Sequence, residues 1–205
     1  MHLLARKAPQ GGFTLVELLV VISIIGILGA LGFSGARAAI SKSQATECLS
    51  NMRQIGVAVQ LFAGENNGCL PATSHSLSWT NSLTIYVGTN FIGRCPGAPR
   101  HRARVTYGWN DSLETNGAGV SLSQCRTPSK TMTLAELATN QSSEHFHFAG
   151  VRGGAGRVTA NQFQAAVNVR GHGQGANYLF VDGHVENLAW SEVQRRLADP
   201  SFLLP

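Results

Sequence analysis

Charge is scarce in this sequence: 13% of its 205 residues are Asp, Glu, Lys or Arg, and no block of like charge occurs. That excludes a disordered acidic or basic tail, and the formal net charge of +5 does not imply nucleic-acid binding. Local catalytic signatures are missing too. The serines fall in no GxSxG elbow, and the glycines of "GGAGR" lack the preceding strand and following helix that a phosphate-binding loop requires. Four cysteines, Cys48, Cys69, Cys95 and Cys125, form no CxxC pair, which argues against a zinc ribbon or a thioredoxin-like site. Proline is absent from residue 13 to residue 64, so nothing there interrupts a helix of about fifty residues. At this length one cored unit plus an anchor is expected, not two cored domains.

What is present is one long apolar run. Residues 13–33, "FTLVELLVVISIIGILGALGF", carry a single charge, Glu17, with Thr14 and Ser23 as the other polar side chains. As a helix this run spans about 30 Å, the thickness of a bilayer's hydrocarbon core. Arg6 and Lys7, with His2, precede it as in a secretory signal, but the run exceeds the core of a cleaved signal and no small-x-small cleavage site follows. An anchor fits better than secretion. The basic residues ahead of the span predict a cytoplasmic N-terminus and export of the rest, an asymmetry that Arg37 and Lys42 weaken. Glu17 is costly in hydrocarbon, at least about 2.5–3.5 kcal/mol when ionised. By position alone, snorkelling to the headgroups and pairing within an assembly are equal alternatives.

The string "GGFTLVELLVVISIIGILGAL" resembles the N-terminus of type IV pilin-like proteins, the prepilins and the pseudopilins of type II secretion. The shared features are a short basic leader, Gly12, Phe13, the Thr14-Leu15-Val16-Glu17 segment and a long apolar helix. In that family a membrane-embedded prepilin peptidase cuts after the glycine and methylates the new amino terminus. The resemblance therefore implies cleavage between Gly12 and Phe13, N-methylation of Phe13, and an assembly role for Glu17. Its carboxylate would meet the α-amino group of a neighbouring subunit's Phe13 and set an axial stagger between packed helices. Loss of residues 1–12 would leave 14 basic against 11 acidic residues.

Beyond Gly35 the pattern becomes amphipathic. Ile40, Cys48, Met52, Ile55, Val59 and Phe62 recur every three or four residues, and "GENNG" closes the stretch. One helix, lipid-embedded and then packed on a small sheet, is expected. Gly26, Gly29 and Gly32 permit close helix contact or are simply tolerated, with equal weight. Farther on, "SLTIYVG" and "RVTYGWN" are candidate strands, "TMTLAEL" is a strand or a short helix, and residues 140–161 read as an extended surface loop. "GANYLFVDGHVENL" predicts a hairpin whose tight turn, Asp182-Gly183, has both residues at positive φ.

His172, nine residues, then Asp182-Gly183 resembles the C-terminal signature of a pilin-like subgroup. "NMRQIGVAVQLFAGENNGCLP", "CPGA" and "YGWN" resemble its middle segments. His172, Asp182 and His184 are also metal-binding or proton-moving types, yet the turn alone accounts for Asp182 and Gly183, so no metal is expected. His145 and His147 in "EHFHF" alternate along one face, an isolated HxH for which loop exposure is the plainer reading. Arg100, Arg102 and Arg104 share one face if extended, as a solvated edge or as a contact for an acidic neighbour or nucleic acid. Cys69 and Cys95 are the first disulfide to test, although three pairings of four cysteines stay open.

The expected fold is α+β, a long N-terminal helix packed on a small antiparallel sheet. Residues 1–12 are the cleaved leader, 13–36 the membrane span, 37–64 the amphipathic helix, and 65–205 an exported head with a C-terminal hairpin. The resemblance implies a non-enzymatic subunit of a type II secretion pseudopilus or a related type IV pilus-like filament. It has no cofactor, and its partners are prepilin peptidase, other pilin-like subunits and the lipid of a bacterial inner membrane, with the head periplasmic. The alternative is an anchored envelope metal-binding protein or enzyme using the His172/Asp182/His184 region.

Overall fold

The computed structural model of the chain describes residues 12–73, 77–88, 93–98, 105–146, 148 and 157–205. The chain divides into two units, Met1–Ile40 and Ser41–Pro205. Arg6, Lys7, Arg100, Arg102, Arg104 and His147 lie outside the described residues.

Helix α1 runs without a break from Leu15 to Glu65. In the first unit its large apolar side chains from Leu15 to Leu28 are exposed, and its length and composition are those of a membrane-crossing helix. The exposed stripe includes Ile40. In the second unit Cys48, Met52, Ile55 and Val59 are buried, the face that the three-to-four spacing predicted. The helix stops where Asn67 and Gly68 adopt positive φ and the Gly68 amide bonds back to the Ala63 carbonyl, a left-handed C-terminal cap.

The head is built on a five-stranded sheet of β1 (Tyr107–Asn110), β4 (Met132–Glu136), β5 (His145–Phe146), β6 (Gly175–Phe180) and β7 (Val185–Ala189), ordered β5-β1-β4-β6-β7. All neighbours are antiparallel except β1 and β5, so the expected antiparallel sheet is mixed at one edge. Strands β2 (Glu114–Thr115) and β3 (Ala118–Gly119) form a separate small ribbon.

Strand alternation, with a register irregularity between Met132 and Leu134 that switches the side of β4, gives the sheet two buried faces. Tyr107, Trp109, Leu134 and Leu179 pack with Met52, Ile55 and Val59 of α1 and with helix α2 (Trp79–Val87). Met132, Ala135, Tyr178 and Phe180 face the other way, toward Phe163 of α3 (Ala160–Ala166), Val193 of α4 (Trp190–Arg196) and Phe202. Each fully buried large side chain contributes about 1.5–3 kcal/mol through removal of apolar surface from water.

Two local expectations are corrected. "SLTIYVG" is not a strand but lies in α2, because Trp79, Thr80 and Leu83 share one helical face that the core buries. The β-branched Thr84, Ile85 and Val87 suggested a strand by local preference, and tertiary packing overrode it. Nor is the stretch from residue 140 onward simply surface loop. His145 and Phe146 form β5, and Phe148 and Val158 are buried, with Phe148 stacked between Phe146 and Phe163 at 5.8 and 5.6 Å.

The C-terminal hairpin forms between β6 and β7 as expected, but its turn differs. Only Gly183 has positive φ (89°), and the loop is closed by Gly183 N–H to Phe180 C=O and Phe180 N–H to His184 C=O. This is the three-residue hairpin loop with a glycine bulge, not the two-residue turn.

Candidate functional site

The segment expected to be processed precedes and opens α1. Gly12 and Phe13 are exposed and precede the first helical residue. Thr14 and Glu17 form a reciprocal cap: the Thr14 amide and hydroxyl both donate to Glu17 Oε2 at 2.8 Å, and the Glu17 amide donates to Thr14 Oγ1 at 3.3 Å. A Thr-x-x-Glu box satisfies helix-start donors that would otherwise be orphaned in lipid. The Thr14–Glu17 spacing is itself a capping-box signature, which gives Glu17 a local role beyond that of a charge in an apolar run.

A second constellation lies inside the head. Cys48 comes from α1, Cys95 from the loop ahead of β1, Glu136 from the end of β4, and His172 from the bridge that leads into β6. Their donor atoms all lie within 4.8 Å of one another. His172 Nε2 is 2.6 Å from Glu136 Oε1 and 3.5 Å from Cys95 Sγ, and Cys48 Sγ is 3.0 Å from Glu136 Oε1 and 3.1 Å from the Tyr107 hydroxyl. The group is nearly sealed, with Cys48 0%, Cys95 4% and Glu136 1% exposed and the His172 side chain 4% exposed.

Electrostatics in this pocket are strongly perturbed. Hydrogen bonding with Cys48 pulls the Cys95 thiol down to about 6. The same contact, and then burial, pushes Cys48 well above the ordinary thiol range. Hydrogen bonds to Cys95 and then to Glu136 raise His172 to about 10. Burial, and then the charge of Cys48, drives Tyr107 upward as well.

The other sequence candidates lie elsewhere. Asp182 and His184 bond to each other across the turn, with His184 Nδ1 2.5 Å from Asp182 Oδ1 and the imidazole stacked on Phe180 at 4.4 Å. His172 does not join them, so the three-residue metal candidate dissolves into a turn contact and a buried cluster. Cys69 and Cys95, the first disulfide to test, are not joined in this structure. All four cysteines are free, Cys95 meets Cys48, and Cys69 is bridged by its backbone to Ser121. His145, half of the HxH pair, is buried in β5. Cys48, Cys95, Glu136 and His172 are separated by 35 residues or more along the chain, so no local spacing betrays their association.

Residues 7–33 match the family model of the prokaryotic N-terminal methylation motif. The N-terminal segment is thus of the type IV prepilin class. The matched residues contain Gly12, Phe13 and the Thr14–Glu17 cap, and they run on into the apolar part of α1. Such a motif implies processing by a prepilin peptidase and association with other pilin-like subunits, and with the apolar helix it indicates anchoring in the inner membrane. No curated protein and no solved structure matches the chain.

Proposed function

We propose that the chain is a non-enzymatic pilin-like subunit, inserted through α1, cut between Gly12 and Phe13, methylated at Phe13, and assembled into a type II secretion pseudopilus or a related filament. The observation that carries this reading is the methylation motif lying on the start of an unbroken helix whose second part packs into an α+β head. The N-terminus faces the cytoplasm and the head lies outside the inner membrane. The likeness of the His172-to-Gly183 stretch to one pilin-like subgroup is part of the same reading.

Glu17 has two partners in turn. In the single subunit it caps α1 through Thr14. In the filament it meets the amine of a neighbouring Phe13, an ion pair between two charged groups where the cap has charge on the carboxylate alone.

The rival reading, an anchored envelope metal-binding protein or enzyme using the His172/Asp182/His184 region, has less to support it as a single three-residue site, since Asp182 and His184 pair with each other on the turn. Mass spectrometry of the mature N-terminus tests the proposal. N-methylated Phe13 is expected, and an intact Met1 or a start beyond residue 33 overturns it.

A further inference from the structure

We propose that Cys48, Cys95, Glu136 and His172 form a structural zinc centre that clips α1 to the sheet of the head. The proposal is independent of how the N-terminus is processed.

The donor set is the first reason. Two thiols, an imidazole and a carboxylate are all zinc ligands, and two sulfurs disfavour magnesium and calcium, which take oxygen. An iron–sulfur cluster ordinarily draws four cysteines, or two with two histidines.

Geometry is the second reason. Zinc bonds of about 2.0–2.3 Å in a tetrahedron place donor atoms roughly 3.3–3.8 Å apart. The 3.5 Å contact already matches those edges, and the 2.6 and 3.0 Å contacts fall short of them, so they need to open by under about 1 Å. Four protein donors from four separate elements close the coordination shell, which is the structural rather than the catalytic form of a zinc site.

Burial is the third. A disulfide between Cys48 and Cys95 would use two of the four groups and leave the Glu136 carboxylate and the His172 imidazole, 2.6 Å apart, to offset their desolvation through each other alone. Glu136 Oε2 is buried without a hydrogen-bond partner among the described residues. Gly171 is built around that oxygen, since a Cβ there would lie 2.2 Å from it. The Tyr107 hydroxyl, 3.1 Å from Cys48 Sγ, is placed to donate to a metal-bound thiolate, the kind of outer contact that tunes such centres.

The test uses the full chain, purified in detergent without a metal-affinity step, with a separate portion alkylated at lysis to report free thiols and disulfides. Elemental analysis is expected to find one zinc per chain, and both Cys95→Ser and His172→Ala are expected to lose it. Asp182→Asn, His184→Ala and Cys69→Ser are expected to keep it. Because ligand variants can fail to fold, the unmodified chain is also exchanged with Co(II), where thiolate-to-cobalt charge-transfer absorption is expected. Removing zinc with a chelator should lower the thermal midpoint, and added zinc should restore it. Absence of stoichiometric zinc, zinc retained in both ligand variants, cobalt bound without thiolate absorption, or a Cys48–Cys95 disulfide in the lysis-alkylated chain overturns the proposal.

Discussion

The carbonyl oxygen of Gly183 lies 2.8 Å from where a Cβ on Gly56 would stand. Helix α1 and the C-terminal hairpin meet backbone to backbone at this point, with Leu179 Cδ1 also 2.8 Å from that position and Gln60 Nε2 donating to the Val181 carbonyl at 2.7 Å. Gly56→Ala should therefore destabilise the head by about 1–3 kcal/mol through overpacking. Urea unfolding of the two chains measures it, and an unchanged midpoint would show that the contact yields freely.

The two roles of Glu17 separate by substitution. Glu17→Gln keeps an acceptor for the Thr14 amide and hydroxyl but removes the charge, whereas Thr14→Ala keeps the charge and removes the threonine side of the cap. Filament incorporation should fail in Glu17→Gln and survive in Thr14→Ala, with membrane insertion intact in both. Equal incorporation of Glu17→Gln and the parent chain would refute pairing with the Phe13 amine.

Tyr107→Phe removes the hydroxyl beside Cys48 Sγ and little else. If the thiolate holds zinc, affinity measured by competition with a chromophoric chelator should fall about 10–100-fold while stoichiometry stays the same.

Asn110 is fully buried, and its amide donates to the Met132 and Leu203 carbonyls, both at 2.8 Å. Asn110→Ala strands two acceptors and loosens the C-terminal segment from β4, at a cost of about 2–4 kcal/mol. Thermal unfolding checks the magnitude, and amide exchange near Leu203 should accelerate.

On the exposed face, Arg196 holds Glu192 at 2.9 Å and Glu186 at 2.9 and 3.0 Å. Hydrogen bonding to Arg196 lowers the Glu192 carboxyl below its ordinary 4.5. A depressed folded value gives stability that is present above about pH 4.5 and is lost as pH falls through the folded value. The acid limb of the melting curve should therefore flatten in Glu192→Gln, and only slightly, since solvent screens the pair.

Much of the fold was legible. The absence of proline and the three-to-four spacing of Cys48, Met52, Ile55 and Val59 marked α1, and the alternation around Asp182-Gly183 marked the last hairpin. Residues 79–87 were not legible as a helix, since their β-branched side chains prefer strands in isolation and only the core facing Trp79 and Leu83 reverses that preference. The burial of His145 and Phe148 was hidden for a similar reason: polar and glycine-rich neighbours mask the few side chains that reach the core.

The sequence by itself marked the apolar helix and the methylation-motif segment at its start, because length, hydropathy, Gly12-Phe13 and the Thr14–Glu17 spacing are local properties that contiguous residues carry. It also supplied His172 and the Asp182-Gly183 pair as noteworthy positions, without their jobs. Only the tertiary structure decided those jobs, sending His172 to Cys48, Cys95 and Glu136 and leaving Asp182 to His184. The physical reason is that a buried donor cluster is assembled by strand pairing and helix docking across more than a hundred residues, and no pattern of neighbouring residues encodes such an encounter.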